Sequence, residues 1–130
     1  IEHLYRVADG AEELQVGSYM TGFLHDTLED TDLTADDLFL LGVSNAVINR
    51  VSMLTKPHDM PYEKYIGRIK NYARKNRDKI ILAVKIADLN DNLNVSRLKM
   101  LKEEDFKRLV RYMKARQKLS DVLNYLQEHR

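Results

Sequence analysis

The sequence has no cysteine. That excludes a disulfide framework and thiolate chemistry, and it fits a cytoplasmic protein. Proline and glycine are scarce, two and five residues in 130, so long breaks in regular structure are not expected. No apolar run reaches the roughly 18 residues that a membrane span requires. No secretory pattern opens the chain. Basic residues are nearly missing from the first 49 positions, which hold Arg6 alone against ten acidic groups. Positions 50–130 reverse this, with twenty basic and ten acidic residues. An acidic half suits a cation and a basic half suits phosphate, although most of these charges are expected on solvated helix faces. No aromatic–basic motif supports nucleic-acid binding. The length fits one domain with a real hydrophobic core, spanning 1–130. The first residue is Ile1 rather than methionine, and the expectation is a domain truncated at its N-terminus.

What is present reads as helix. Leu4, Val7, Ala8, Ala11 and Leu14 repeat at helical spacing over 1–15. Gly17-Ser18 breaks that pattern, and Ser18 is placed to cap a helix over about 18–29. Thr34, followed by Asp36 and Asp37, predicts an N-cap with acids in the first turn, and Gly42 ends that short helix. Ser44 opens another helix to about Leu54. Thr55–Pro61 is a loop fixed by two prolines, with His58 at the surface. Pro61 begins a helix over 62–74. The most apolar segment, 76–92, predicts a central helix. An amphipathic helix over about 104–128 turns Phe106, Leu109, Val110, Met113, Leu119, Val122, Leu123 and Leu126 inward. No strand alternation and no internal repeat occur. The expected architecture is an all-α bundle of six or seven helices.

The chemistry concentrates in Gly22-Phe-Leu-His-Asp-Thr-Leu-Glu-Asp-Thr31. Neighbours on a helix point about 100° apart, and residues three or four apart share a face. His25 and Glu29 then lie on one side, with Asp26 and Asp30 beside them. So many chelating groups beside apolar anchors are costly unless compensated, and a divalent cation compensates them. Asp88 is a second carboxylate in the most apolar helix, where it requires a partner. A cation shared with the first cluster is favoured there over an ion pair with Lys85. His3, the His25-Asp26 pair and Asp88 come from three helices and suffice for one divalent ion, with positions left for water.

His3…His25-Asp26…Asp88 resembles the pattern of the HD-domain metal-dependent phosphohydrolases. The likeness is closest to the hydrolase domains of the bifunctional (p)ppGpp synthetase/hydrolases and their small single-domain relatives. Leu24–Thr31 resembles their His-Asp segment and His3-Leu-Tyr-Arg-Val-Ala8 their first-histidine helix. Met53-Leu-Thr-Lys56 resembles their helix exit, and Lys85-Ile-Ala-Asp-Leu-Asn-Asp-Asn92 their final-aspartate helix. The four segments occur in the family's order, and the resemblance runs from residue 1 to about 120.

This resemblance implies an HD-type bundle. It implies His3, His25, Asp26 and Asp88 as ligands of a divalent ion, usually Mn²⁺. Glu29 and Asp30 would position or deprotonate the attacking water, and Asn92 would serve the substrate or the site geometry. Positive groups are also needed around a phosphoryl group, and Arg6, Arg50, Lys56 and Lys85 are the candidates. The expected ligand is a small phosphorylated nucleotide such as (p)ppGpp; no membrane partner is expected, and oligomerisation stays open.

The chain departs from the family at several points. Leu4 replaces the proline after the first histidine. Leu89-Asn90-Asp91 replaces Arg-Leu-His, and Asn94-Val95 replaces an Arg-Thr whose threonine belongs to the nucleotide pocket. The alternatives are a sensor that binds nucleotide without turnover, a phosphatase or phosphodiesterase for another phosphoester, and a purely structural bundle.

Overall fold

The computed structural model describes residues 1–94 and 102–129. All the regular structure among them is helical. In chain order the helices are α1 (Glu2–Leu14), α2 (Tyr19–Leu24), the single turn α3 (Thr27–Asp30), α4 (Ala35–Leu40), α5 (Asn45–Leu54), α6 (Tyr62–Asn76), α7 (Lys79–Asn92) and α8 (Glu103–Glu128). Seven helices and one isolated turn make the expected small bundle. No described helix is long and apolar enough to cross a membrane.

The bundle is built around α7. Ile81, Leu82, Ala83, Val84 and Leu89 are fully buried, because α7 is apolar nearly all round and has α1 and α8 packed against it. From α1 come Val7 and Ala11, from α6 Ile66 and Ile69, and from α8 Leu119 and Leu126. This core leaves the C-terminal end of α7 facing α1, where Asp88 and Asp91 meet the first histidine.

Local chemistry sets the boundaries. The Thr34 and Ser44 side chains accept from the backbone amides of Asp37 and Val47, which caps α4 and α5 as the sequence predicts. Between α6 and α7 the expected boundary moves. Arg77 adopts the left-handed conformation with φ 50°, and the Asp78 side chain caps α7 by accepting from Ile80 and Ile81. Asn76 therefore ends α6 instead of starting α7.

The helix expected over 18–29 is broken. α2 stops at Leu24, and Asp26 becomes the N-cap position of α3. His25 Nδ1 lies 2.6 Å from the Gly22 carbonyl oxygen, so the ring satisfies a carbonyl at the end of α2. Gly22 itself is required by packing. A Cβ there would stand 2.9 Å from the Ala8 Cα and 3.3 Å from the Ala8 nitrogen, both backbone atoms of α1. Gly22→Ala is expected to cost about 1–3 kcal/mol by forcing α1 and α2 apart. Thermal unfolding checks this, and an unchanged midpoint would show that the contact yields freely.

The expected inward stripe on α8 holds only in part. Leu109, Leu119, Val122, Leu123 and Leu126 are buried, but Phe106, Val110 and Met113 are about half exposed, at 53%, 49% and 53%. Ala115 and the half-buried Tyr112 turn inward instead. Periodicity finds an apolar face but not the length over which a neighbouring helix covers it.

Candidate metal centre

His3 sits in the first turn of α1, His25 and Asp26 in the break between α2 and α3, and Asp88 in the last turns of α7. The break is what joins the first pair to the rest. In an unbroken helix His25 and Asp26 would diverge; here His25 Nε2 and Asp26 Oδ2 are 3.1 Å apart. Asp88 Oδ1 lies 3.5 Å from His25 Nε2 and 3.1 Å from His3 Nε2. His3 Nε2 is 3.8 Å from Asp26 Oδ2. Donor atoms of His3, His25 and Asp26 lie within 4.8 Å of one another, and Asp88 approaches both rings.

These distances suit a shared cation. Ligands about 2.1 Å from one ion are about 3 Å apart when adjacent and about 4 Å apart when opposite. The hydrogen bonding agrees. His25 Nδ1 faces a carbonyl, which can only accept, so Nδ1 carries the proton and leaves a lone pair on Nε2 of the neutral ring. His25 Nε2 is buried, and despite its two carboxylate neighbours it has no hydrogen-bond partner. His3 Nδ1 hydrogen-bonds to the Asp91 carboxylate, which frees its Nε2 in the same way. Two nitrogen lone pairs directed at carboxylate oxygens repel unless a proton or a cation stands between them. The residues present therefore fit a divalent ion of the manganese, iron or zinc type.

Without a cation, protons fill that role. Burial disfavours a charged His25, but the Asp26 and Asp88 carboxylates outweigh it and push the ring up to about 10. His3 is raised by its contact with Asp88, against burial and with help from Asp91. Burial works against an ionised Asp88, yet His25, His3 and Lys85 together hold its carboxyl well below the usual range.

The remaining expected residues divide into two groups. A cavity of about 280 Å³ opens onto the cluster, and Glu29, Lys85 and Asn92 line it beside the four candidate ligands. Asn92 Nδ2 donates to Asp88 Oδ1 at 3.2 Å. Lys85 Nζ donates to Asp88 Oδ2 at 2.8 Å, so the ion pair that the sequence reading set aside is present beside the histidine contacts. The two are compatible because each uses a different oxygen. Asp30 is exposed and does not line the cavity.

Arg50 and Lys56 are not brought to the cluster. Arg50 Nε donates to the buried Asp78 at 2.8 Å. Lys56 Nζ donates to the carbonyl oxygens of Pro57 and Met60, at 3.1 and 2.8 Å, and closes the proline loop. His58 is exposed, as expected. Val95 lies outside the described residues.

Asp91 is the residue that the sequence reading missed. Its Oδ1 accepts from Arg6 Nε at 2.6 Å, its Oδ2 accepts from Arg6 Nη2 at 3.3 Å, and the same Oδ2 meets His3 Nδ1. The available signal was spacing, because Asp88 and Asp91 are three apart on α7 and share a face. A carboxylate behind a ligating histidine fixes its tautomer and raises its basicity. Asp91→Asn is expected to weaken Mn²⁺ binding about 10–100-fold while the fold persists. A metal titration followed by circular dichroism tests this, and unchanged affinity would limit Asp91 to holding α1 against α7. The chain matches no protein-family model and no curated protein.

Proposed function

We propose that the chain is a metal-dependent phosphohydrolase of the HD type that acts on a small phosphorylated nucleotide such as (p)ppGpp, releasing its 3′-pyrophosphate. The observation that carries this reading is His25 Nε2, which is buried, makes no hydrogen bond and faces the carboxylates of both Asp26 and Asp88. His3, His25, Asp26 and Asp88 would hold the ion, with Mn²⁺ the first choice. When bound, such an ion lowers the pKa of water and neutralises charge on a phosphoryl group.

The chain's own groups do the rest. Glu29 lines the cavity and is the candidate to take the proton of the attacking water. Water adds to phosphorus, the phosphorus–oxygen bond to the 3′ position breaks, and that oxygen leaves with a proton. Asn92 holds Asp88 in place, and Asp91 holds His3. Lys85 fixes the far oxygen of Asp88 and brings positive charge to the cavity wall.

A second reading is a nucleotide sensor without turnover. The engagement of Arg6 by Asp91, and of Lys85 by Asp88, favours it, because both cations are already committed to carboxylates. Mn²⁺-dependent turnover of ppGpp, GTP, other nucleoside phosphates and a generic phosphodiester separates the two, with Asp88→Ala as control. The expected result is pyrophosphate release from ppGpp that is lost in the variant. Bound manganese with no turnover of any substrate selects the sensor, and failure to bind manganese overturns both.

A further inference from the structure

A second cavity, of about 330 Å³, lies between α6 and α8. Its floor is apolar, from the buried Ile66 and Ala115. Its α8 rim carries Arg111, Lys114 and Lys118, whose spacing of three and four places them on one helix face. A neighbouring cavity of about 300 Å³ shares Lys118 and Asp121 and adds Lys70 and Arg74 from α6.

These cations differ from others on the same helix. Lys107 and Arg108 pair with Glu103 and Asp105. Among the described residues, none of the five groove cations forms an ion pair. Five cations against the two carboxylates Glu63 and Asp121 leave the groove net positive, a field that attracts an anion.

The other lining groups narrow the choice of anion. Glu63 and Asp121 also face the groove, and Asp121 takes one hydrogen bond from Gln117 Nε2 at 2.8 Å. Carboxylates repel a bare phosphate chain but accept from amino, imino and hydroxyl donors. Tyr62 also lines the groove. The Arg111 guanidinium lies 5.4 Å from the centre of its ring, and its hydroxyl is buried without a partner. A planar guanidinium held by an aromatic ring is a stacking surface for a base. Apolar floor, stacking surface, acceptors and cations together match a ligand with a flat base, hydroxyls and phosphate, and the volume suits a small molecule.

We propose that the α6–α8 groove is a binding site for a nucleoside phosphate, distinct from the His/Asp cluster. The two cavities are back to back across a tyrosine wall. Tyr62 stands 5.8 Å from Tyr65 and 5.7 Å from Tyr112, ring centre to ring centre, and Tyr65 and Tyr112 line the cluster cavity. The groove draws on none of the candidate metal ligands, so an ion held by the His/Asp cluster is no part of it, and its own cations supply the charge that faces a phosphate.

The test is calorimetric titration of the full chain, in excess chelator, with GMP, AMP and inorganic pyrophosphate. It is repeated on Lys114→Glu/Lys118→Glu and on Lys64→Glu/Lys75→Glu. The second pair is exposed on α6, does not line the groove and has the same net charge change. The expected result is nucleotide binding without metal, at least about tenfold weaker in the groove variant and little changed in the control. Equal weakening in both variants, pyrophosphate binding as tight as that of the nucleotides, or no binding at about 5 mM ligand would each overturn the proposal. Repeating the titration with Asp88→Asn separates this site from the phosphohydrolase reading, because groove binding is expected to survive that change even if turnover does not.

Discussion

Asp88→Ala is expected to remove manganese binding and turnover together, and to lower stability by about 3–5 kcal/mol. The first effect follows from Asp88 Oδ1, which faces both histidine Nε2 atoms. Loss of a ligand from such a cluster is expected to reduce turnover at least about 1000-fold. The second follows from Asp88 Oδ2, which is the ion-pair partner of the buried Lys85. Burial alone would lower the Lys85 pKa, but the Asp88 carboxylate overrides it and holds the ammonium charged. The Tyr65 ring, 5.1 Å from Lys85 Nζ, adds a weaker attraction. Removing Asp88 leaves a buried charge without its counter-ion, which costs more than the pair itself contributes.

The two roles can be separated. Adding Lys85→Met removes the stranded charge and restores apolar packing. The double variant is therefore expected to regain most of the lost stability but none of the metal affinity. Denaturant unfolding and a manganese titration on both proteins measure the two effects independently. Full turnover in Asp88→Ala would sink the assignment of Asp88 as a ligand. A double variant no more stable than the single would show that Lys85 is not the source of the cost.

Much of the fold was legible where local chemistry acts through neighbours in sequence, although the Ser18 side chain makes none of the capping hydrogen bonds expected of it. Thr34 and Ser44 announce helix starts because a capping side chain reaches only its own first turn. The core helix α7 was readable from its apolar character on every side. What could not be read depended on contacts distant in sequence. The His25-Asp26 break combines the ring's hold on Gly22 with the close approach of Gly22 to Ala8. Helical periodicity sees neither, yet the break is what aims both residues at one point. Asp91 went unread because its partners, His3 and Arg6, are more than eighty residues away. Arg50 and Lys56 show the opposite error. Their charge suggested a phosphate site, but Asp78 and the carbonyls of the proline loop had already claimed them.

Manganese is expected to stabilise the protein progressively more as pH rises from about 6.5 to 9, because protons and metal compete for the same two rings. In the metal-free chain His25 has a pKa raised to about 10 from an unfolded value near 6.5. A raised pKa means that the folded state holds the proton more tightly. The resulting stability is complete below pH 6.5 and is lost as pH climbs through the folded value. His3 shifts the same way and adds to the slope. The depressed Asp88 contributes in the other direction, with stability present above about pH 4 and lost in acid. The metal-free protein should therefore weaken by a few kcal/mol between neutral pH and pH 10. A bound cation requires both rings neutral, so binding expels protons and tightens as pH rises. Denaturation curves at three pH values, with manganese and with chelator, read the difference directly, and calorimetry in buffers of different ionisation enthalpy counts the protons released. The His25→Gln variant should lose the pH dependence of the metal effect along with most of its size. Equal stabilisation by manganese at every pH, with no proton release, would place the ion somewhere other than between these histidines and carboxylates.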